Sequence, residues 1–240
     1  MTYVRAELKA DAKSQLSGNW GRAIGAMLLV TLFGALIGFI LELLMAGTAA
    51  GGLLGYIDKI QYMTDEEILR ALSGFYGWAF LCSLVVLVLT APVSVGYYFF
   101  NLGLMRRENV TAFTPFQGFR YLGKTIGLTL MINIFISLWS LLFLIPGIIK
   151  TYSYAMAPYI WSDHRDMSIF DAITQSRKMM VGHKWEFFVL NLSFILWVLL
   201  VSLTFGIALL YVGPYMEMTF ANFYERLKKD YEAGTAGSVA

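Results

Sequence analysis

Residues 125–162 read TIGLTLMINIFISLWSLLFLIPGIIKTYSYAMAPYIWS, and Lys150 is the single charged side chain in this stretch. As one straight α-helix these residues would be about 57 Å long, roughly twice the thickness of the hydrocarbon core of a bilayer. The segment must therefore fold back or leave the membrane. We expect the break at Pro146 and Gly147, because proline lacks an amide hydrogen and glycine permits turn conformations that other residues avoid.

The composition of the whole chain is that of a membrane protein. Of its 240 residues, 58% are hydrophobic and 14% are charged, and the mean hydropathy is +0.63. Soluble domains have about a quarter of their residues charged, so this chain has too few charges to cover a water-exposed surface. The net charge of +2 provides no basic excess for nucleic acid. Cys82 is the single cysteine, which excludes a disulfide framework and a thiolate metal site.

Hydropathy alone permits two arrangements of the membrane spans. After Pro146-Gly147 and again after Gly213-Pro214, the chain either returns through the membrane, giving six crossings, or lies along its outer surface, giving four. With six crossings and a cytoplasmic N-terminus, fifteen Lys and Arg residues are cytoplasmic and three are outside; with four crossings, the split is eleven against seven. Because cytoplasmic segments are enriched in Lys and Arg, the sequence predicts six crossings and two cytoplasmic termini.

The predicted spans form three helical hairpins that repeat along the chain. In each unit an amphipathic juxtamembrane helix is followed by an outgoing apolar helix and a returning aromatic helix that contains proline; the second and third returns cover about 147–162 and 213–227. The sequence therefore predicts an all-α integral membrane protein with six transmembrane helices and a pseudo-threefold internal repeat. The predicted single membrane domain covers 1–240, with units at about 1–107, 108–164 and 165–229 and a disordered tail at 230–240.

Two helix starts carry capping signals. Ser168 precedes Asp171 by three residues, which is typical of an N-cap at the start of an amphipathic helix. Thr64 and Glu67 have the same spacing in the loop between the first two spans, where they predict a capping box. The chain from Tyr3 to Leu16 is also predicted to be an amphipathic helix at the inner membrane surface, with Tyr3, Leu8, Ala12 and Leu16 on its apolar side.

Three charged residues fall within or beside the predicted spans, near the outer ends of the hairpins: Glu42, Lys150 and Glu217. Charge inside a membrane is costly and is commonly functional. We hypothesise a polar cluster in which Lys150 pairs with Glu42 or Glu217 and lines a cavity for a headgroup or a small polar solute. The alternative is that each side chain reaches the outer membrane interface separately.

Small and amide residues in the spans predict close helix packing. Gly34 and Gly38 have the Gly-x-x-x-Gly spacing, which permits close helix approach either within the protein or between two copies of it. Asparagines inside a membrane form hydrogen bonds between helices. The candidates are Asn101, Asn133, Asn191 and Asn222.

The sequence contains no recognisable catalytic or ligand-binding motif. His164 and His183 stand far apart, and the HExxH, GxSxG and glycine-rich phosphate-binding patterns are missing. We therefore expect a protein that is not an enzyme and that has no cofactor and no metal site.

Two stretches, IPGIIKTYSYAMAPYI at 145–160 and AITQSRKMMVGHKWEFFVLNLSFI at 172–195, resemble the bacterial integral-membrane family known as domain of unknown function 975. The resemblance covers nearly the whole chain. It implies a multi-span fold and a location in the bacterial plasma membrane, and it implies no activity and no site residues.

Two functions are compatible with these features. The first is a non-catalytic membrane protein that binds or transports a lipid or small amphiphile, with membrane lipids as its partners. The alternative is a structural or regulatory subunit of a membrane complex, whose partner is another protein or a second copy of the chain. An open cavity that reaches Lys150 or Glu217 would favour the first, and an exposed face at Gly34 and Gly38 would favour the second.

Overall fold

The regular structure in the described part of the chain is helical, as the sequence predicts. The computed structural model describes residues 4–57 and 62–237, with side chains described for 4–44, 62–70 and 72–234. Helices satisfy their own backbone hydrogen bonds, as an apolar chain in lipid requires. The main elements are α1 (Arg5–Leu16), α2 (Trp20–Ile57), α3 (Asp65–Met105), a 3-10 helix (Thr114–Tyr121), α4 (Leu122–Leu142), α5 (Leu144–Tyr154), α6 (Ala157–Asp163), α7 (Ile169–Met179), α8 (Lys184–Leu192), α9 (Ile195–Leu203) and α10 (Leu209–Gly237).

Several helices suit a membrane. Within the described residues, four segments are long and apolar enough to cross one: Trp20–Leu44, Asp65–Met105, Thr114–Leu142 and Lys184–Leu203. They include the outgoing helix of each predicted hairpin and the return of the first. The second and third returns, α5 with α6 and α10, are not among them, so the number of crossings stays a prediction.

The chain comprises two compact units, and the single membrane domain stays a prediction. One unit comprises residues up to Val30 and from Pro92 onward, and the other comprises Thr31–Ala91. The second unit contains the C-terminal part of α2 and the N-terminal part of α3. Most of its described apolar side chains are exposed, and Ile37, Cys82 and Ala91 are its buried ones.

The second hairpin has the expected break between its two halves, but at Phe143 rather than at Pro146 and Gly147, which lie inside α5. Phe143 has an extended backbone with φ −157°, which ends α4, and α5 begins at the next residue. Pro146 lies in the first turn of α5, where the missing amide hydrogen costs little. Gly147 packs against Ser140, and a Cβ at this glycine would overlap the serine side chain. The absence of a side chain at Gly147 thus lets the returning helix start directly beside α4.

The second hairpin then returns along its full length. Near its middle, the rings of Phe135 on α4 and Tyr154 on α5 have centroids 6.1 Å apart. At its base, Tyr121 and Trp161 have ring centroids 5.8 Å apart. The end of α6 therefore lies beside the start of α4, and the two halves are antiparallel.

The third hairpin turns earlier than its glycine-proline pair suggests. α9 ends at Leu203, Gly206 adopts φ 89° in the turn, and α10 begins at Leu209. Glycine accepts this left-handed conformation without the steric cost of a Cβ. Gly213-Pro214, expected to start the return, instead lies inside α10.

Aromatic contacts join the two halves of this third hairpin. Trp197 contacts Tyr211 near the turn, with ring centroids 5.9 Å apart, and Phe187 contacts Phe223 near the base, with centroids 4.9 Å apart. α10 continues through Gly237, so the helix extends into the segment that we expected to be disordered from residue 230 onward; residues 238–240 lie outside the described residues.

The N-terminal helix packs against α10. Its buried side is Leu8, Ala12 and Leu16, in agreement with the predicted apolar side. The side chains of Gln15 and Asn222 donate hydrogen bonds to each other, at 2.9 and 2.7 Å. This confirms the prediction that Asn222 forms a hydrogen bond between helices. α1 is therefore held to the third hairpin through both apolar and polar contacts.

Both predicted caps are confirmed. The Ser168 hydroxyl accepts a hydrogen bond of 3.1 Å from the Asp171 amide at the start of α7. The Thr64 amide donates to the Glu67 carboxylate at 2.9 Å, and the Glu67 amide donates back to the Thr64 hydroxyl at 3.4 Å. α7 packs against the second hairpin, and its Ser176 hydroxyl donates to the carbonyl of Ser153 at 2.8 Å.

Candidate functional site

A cavity of about 310 Å³ lies where the end of α3 meets the second and third hairpins, and we call it the Glu217 cavity. All three chain segments belong to the same compact unit. The volume lies at the lower end of the range of small-molecule sites, about 300–1,000 Å³. The aromatic residues of its wall are Tyr98, Tyr154, Tyr159, Phe187 and Phe220. The other lining residues are Ile132, Ile136, Thr151, Ala155, Pro158 and Glu217.

Glu217 is the acidic residue of this wall. One carboxylate oxygen accepts a long hydrogen bond of 3.5 Å from the side-chain amide of Asn101. The Tyr159 side chain lines the same cavity and interacts with the carboxylate. Asn101 and Tyr159 are themselves buried, at 2% and 3% exposure, so α3 and α6 hold these side chains in place. In the described part of the chain, no Lys, Arg or His side chain forms an ion pair with Glu217.

Two residues of the predicted polar cluster, Lys150 and Glu217, form no ion pair within their compact unit. Lys150 does not line the cavity, although its neighbour Thr151 does. Its ammonium nitrogen lies 4.3 Å from the centroid of the Trp139 ring on α4, where a cation–π contact stabilises it. Lys150 therefore contacts its own hairpin and forms no ion pair with Glu217. Glu42 is an exposed residue of the second compact unit.

The predicted packing residues have mixed outcomes. Asn133 and Asn191 each donate a hydrogen bond of 2.8 Å to a carbonyl one turn earlier in their own helix, so these bonds do not join helices. That carbonyl is always within reach of an asparagine side chain, whereas a partner on another helix is not. At Gly34 and Gly38, a Cβ would have no described atom within 4 Å.

A second polar site, at the base of the hairpins, has no counterpart among the predicted site residues. Asp163, at the end of α6, accepts hydrogen bonds from Arg106, Tyr224 and Lys228, and we call these four residues the Asp163 cluster. Arg106 also donates to Glu225 at 2.9 Å. The sequence signal for this site is weak: Asp163 is the acid that ends the aromatic run PYIWSD, and its partners are distant in sequence.

A row of tyrosines connects the cavity with the Asp163 cluster. Tyr98 and Tyr159 meet edge to face with ring centroids 4.6 Å apart, and Tyr159 stacks on Tyr224 at 5.4 Å. The Tyr224 hydroxyl donates to Asp163 at 2.9 Å. The cluster therefore supports one wall of the cavity.

The side chains of the Glu217 cavity can bind a ligand. Its wall combines one carboxylate, tyrosine and threonine hydroxyls, and a large apolar surface, which suits a ligand with one polar end. Among the described residues, no group of three or more His, Cys, Asp or Glu side chains is placed to hold a metal ion.

Comparisons with known proteins identify a family. No curated protein and no solved structure matches the chain. The family model described as "Protein of unknown function (DUF975)" matches residues 1–153 and 141–231, which together cover nearly all of the sequence, and the chain therefore belongs to this family.

Proposed function

We propose that this protein is a non-catalytic membrane protein that binds a lipid or small amphiphile in the Glu217 cavity. The observation that carries the proposal is the cavity itself, which is about 310 Å³ in volume and has one carboxylate in an otherwise largely aromatic and aliphatic wall. The apolar wall suits an acyl or aryl group, and Glu217 with the neighbouring hydroxyls suits a polar end. Lipids and small amphiphiles of the bilayer combine an apolar group with a polar end in this way.

We further propose six membrane crossings, with both termini in the cytoplasm of a bacterial cell and the three hairpins as repeated units. The return of the second hairpin supports this topology. The Lys124 ammonium, near the start of α4, donates a hydrogen bond of 2.8 Å to the carbonyl of Arg165, just after α6. If α4 crosses the membrane, then α5 and α6 carry the chain back to the side from which α4 started.

The test of ligand binding is native mass spectrometry of the protein extracted in a mild nonionic detergent. We expect the wild type to retain a lipid or other amphiphile. Ala155→Trp should reduce the retained fraction strongly, because the indole would occupy the cavity at a wall position. Ile145→Trp is the matched control: it introduces the same side chain at a residue that is 71% exposed and outside the cavity wall, and it should retain the ligand.

The proposal would be contradicted if the wild-type protein retained no lipid or amphiphile. It would also be contradicted if Ala155→Trp retained as much ligand as the wild type. Thermal unfolding of both variants shows whether a loss of ligand reflects filling of the cavity or loss of the fold.

The alternative function, a structural or regulatory subunit of a membrane complex, is supported by the open surface at Gly34 and Gly38. No described atom occupies the space next to either glycine, so another helix has room to approach. If this function is correct, native mass spectrometry should find a second protein bound to the chain. Gly38→Leu should abolish binding of that partner, and Ala155→Trp should not.

A further inference from the structure

We propose that the Glu217 cavity selects organic monocations, such as quaternary or protonated amines that carry an apolar group. In this arrangement the cationic group pairs with the Glu217 carboxylate, and the aromatic wall surrounds its alkyl substituents. This inference rests on the proposed function, because it names the ligand class for the same cavity.

The first argument is the missing positive charge at Glu217. The carboxylate accepts a hydrogen bond from the neutral side chain of Asn101 and lies beside the neutral side chain of Tyr159. No cationic side chain in the described chain pairs with it. Glu217 is half-buried in the cavity wall. A carboxylate that is partly removed from water and lacks a cationic partner is costly, and the cost falls when the group binds a proton or pairs with a cation. A cationic ligand would therefore provide the partner that the protein itself does not.

The second argument is the aromatic wall around this carboxylate. Tyr98 and Tyr159 lie edge to face at 4.6 Å, and Phe187 and Phe220 do the same at 5.3 Å. The negative faces of such rings attract organic cations, and the attraction is larger where water is excluded. Aromatic side chains that enclose a quaternary ammonium group are a common means of recognising it.

The composition of the wall argues against two other ligand classes. A hard inorganic cation such as Ca²⁺ takes six to eight oxygen ligands, whereas this wall provides one carboxylate and a few hydroxyls among apolar groups. An anionic headgroup would be repelled by Glu217 and would meet no Lys or Arg among the lining residues. A cation whose charge is spread over carbon-bearing groups fits both the charge and the apolar surface.

The experiment compares a cationic with an uncharged probe of the same chain length, hexyltrimethylammonium and hexanol, by calorimetric titration of the purified protein in a nonionic detergent. Titration into empty micelles provides the background, and high ionic strength suppresses binding to surface charges. We expect the wild type to bind the cation about tenfold or more tightly than the alcohol, as expected for a desolvated charge and cation–π contact.

Three variants test whether the charge of Glu217 causes the preference for the cation over hexanol. Glu217→Gln should weaken binding of the cation about tenfold and change binding of hexanol little, since it removes the charge and keeps the shape. Glu217→Asp, which retains the charge, should keep the preference for the cation. Glu108→Gln, the same charge change at an exposed residue outside the cavity, should behave as the wild type.

The outcomes separate the two proposals. If hexanol and the cation bind the wild type equally, or if Glu217→Gln keeps the preference for the cation, the cation selectivity is overturned while the cavity remains a binding site. If neither probe binds the wild type, or if Ala155→Trp binds both probes as the wild type does, the proposed function fails and the selectivity fails with it. Equal melting temperatures of Glu217→Gln and the wild type show that the variant is folded.

Discussion

Asp163 shows how a single side chain joins distant parts of this protein. Its side chain is 5% exposed, yet it remains ionised because Arg106, Tyr224 and Lys228 all donate to it. Burial alone would raise the pKa of Asp163, but the hydrogen bonds from Arg106 and Lys228 outweigh burial and lower the pKa to about 2. The folded protein therefore holds this carboxylate in its charged form more strongly than the unfolded chain does.

The depressed pKa of Asp163 predicts a loss of stability in acid. An unfolded aspartate has a pKa of about 3.9, so the cluster contributes its full stabilisation above about pH 4, roughly 2 kcal/mol, and loses it as the pH falls towards 2. We expect the melting temperature of Asp163→Asn to be lower than that of the wild type at pH 7 and to fall less between about pH 5 and 2. Thermal unfolding in nonionic detergent, followed by tryptophan fluorescence over this pH range, measures both effects.

Asp166→Asn is the control for this prediction, because it makes the same change at an exposed residue three positions later, in the loop that follows α6. It should follow the wild-type acid profile. If Asp163→Asn and the wild type lose stability in parallel as the pH falls, the Asp163 cluster is not the source of the acid sensitivity.

At the scale of elements, two glycines set how closely the 3-10 helix lies on α3. A Cβ on Gly118 of the 3-10 helix would overlap the carbonyl of Pro92, and a Cβ on Gly96 of α3 would overlap the carbonyl of Pro115. Both obstacles are backbone atoms, which cannot rotate away as a side chain can. The two segments therefore pack backbone to backbone, and this contact holds the end of α3 that carries Tyr98 and Asn101.

Gly118→Ala should destabilise the protein by about 2–4 kcal/mol, because the methyl group forces the two backbones apart. Gly123→Ala in α4 makes the same change where a Cβ meets no described atom within 4 Å, and it should leave stability unchanged or raise it by up to about 1 kcal/mol. The melting temperatures of the two variants provide the comparison. Equal destabilisation by both substitutions would mean that close packing at Gly118 is not the cause.

At the scale of the whole molecule, the topology determines on which side of the membrane each end of the bundle lies. The second hairpin begins and ends at its base, where Tyr121 contacts Trp161 and Lys124 contacts Arg165. This return supports the proposed six crossings over an arrangement in which the chain crosses along α4 and stays outside. The placement of the Lys and Arg residues favours the same six crossings.

Cysteine labelling of intact cells tests this topology. In a Cys82→Ala background, Asp166→Cys at the base of the second hairpin should react with a membrane-impermeant maleimide only after the cells are permeabilised. Ile145→Cys at its tip, which is 71% exposed, should react in intact cells. Labelling of Asp166→Cys from outside would replace the six crossings with the four-crossing arrangement.

The sequence by itself determined the features that depend on neighbouring residues. Composition and hydropathy predicted helices that are long and apolar enough to cross a membrane. The break near Pro146 follows from local backbone chemistry, and the caps at Ser168 and Thr64 follow from spacings of three residues. The turn of the third hairpin was missed because Gly206, rather than Gly213-Pro214, adopts the left-handed conformation there. Proline is tolerated inside α10, so its presence does not determine where the helix begins.

Only the tertiary structure decided which polar residues meet. Successive residues on a helix point about 100° apart, so Lys150 contacts Trp139 while the adjacent Thr151 lines the cavity. Asn101 and Glu217 meet, as do Arg106 and Asp163, although a long stretch of chain separates the members of each pair. Such pairings depend on how the helices rotate and cross when they pack, which is a property of the whole core and is not encoded in any local pattern.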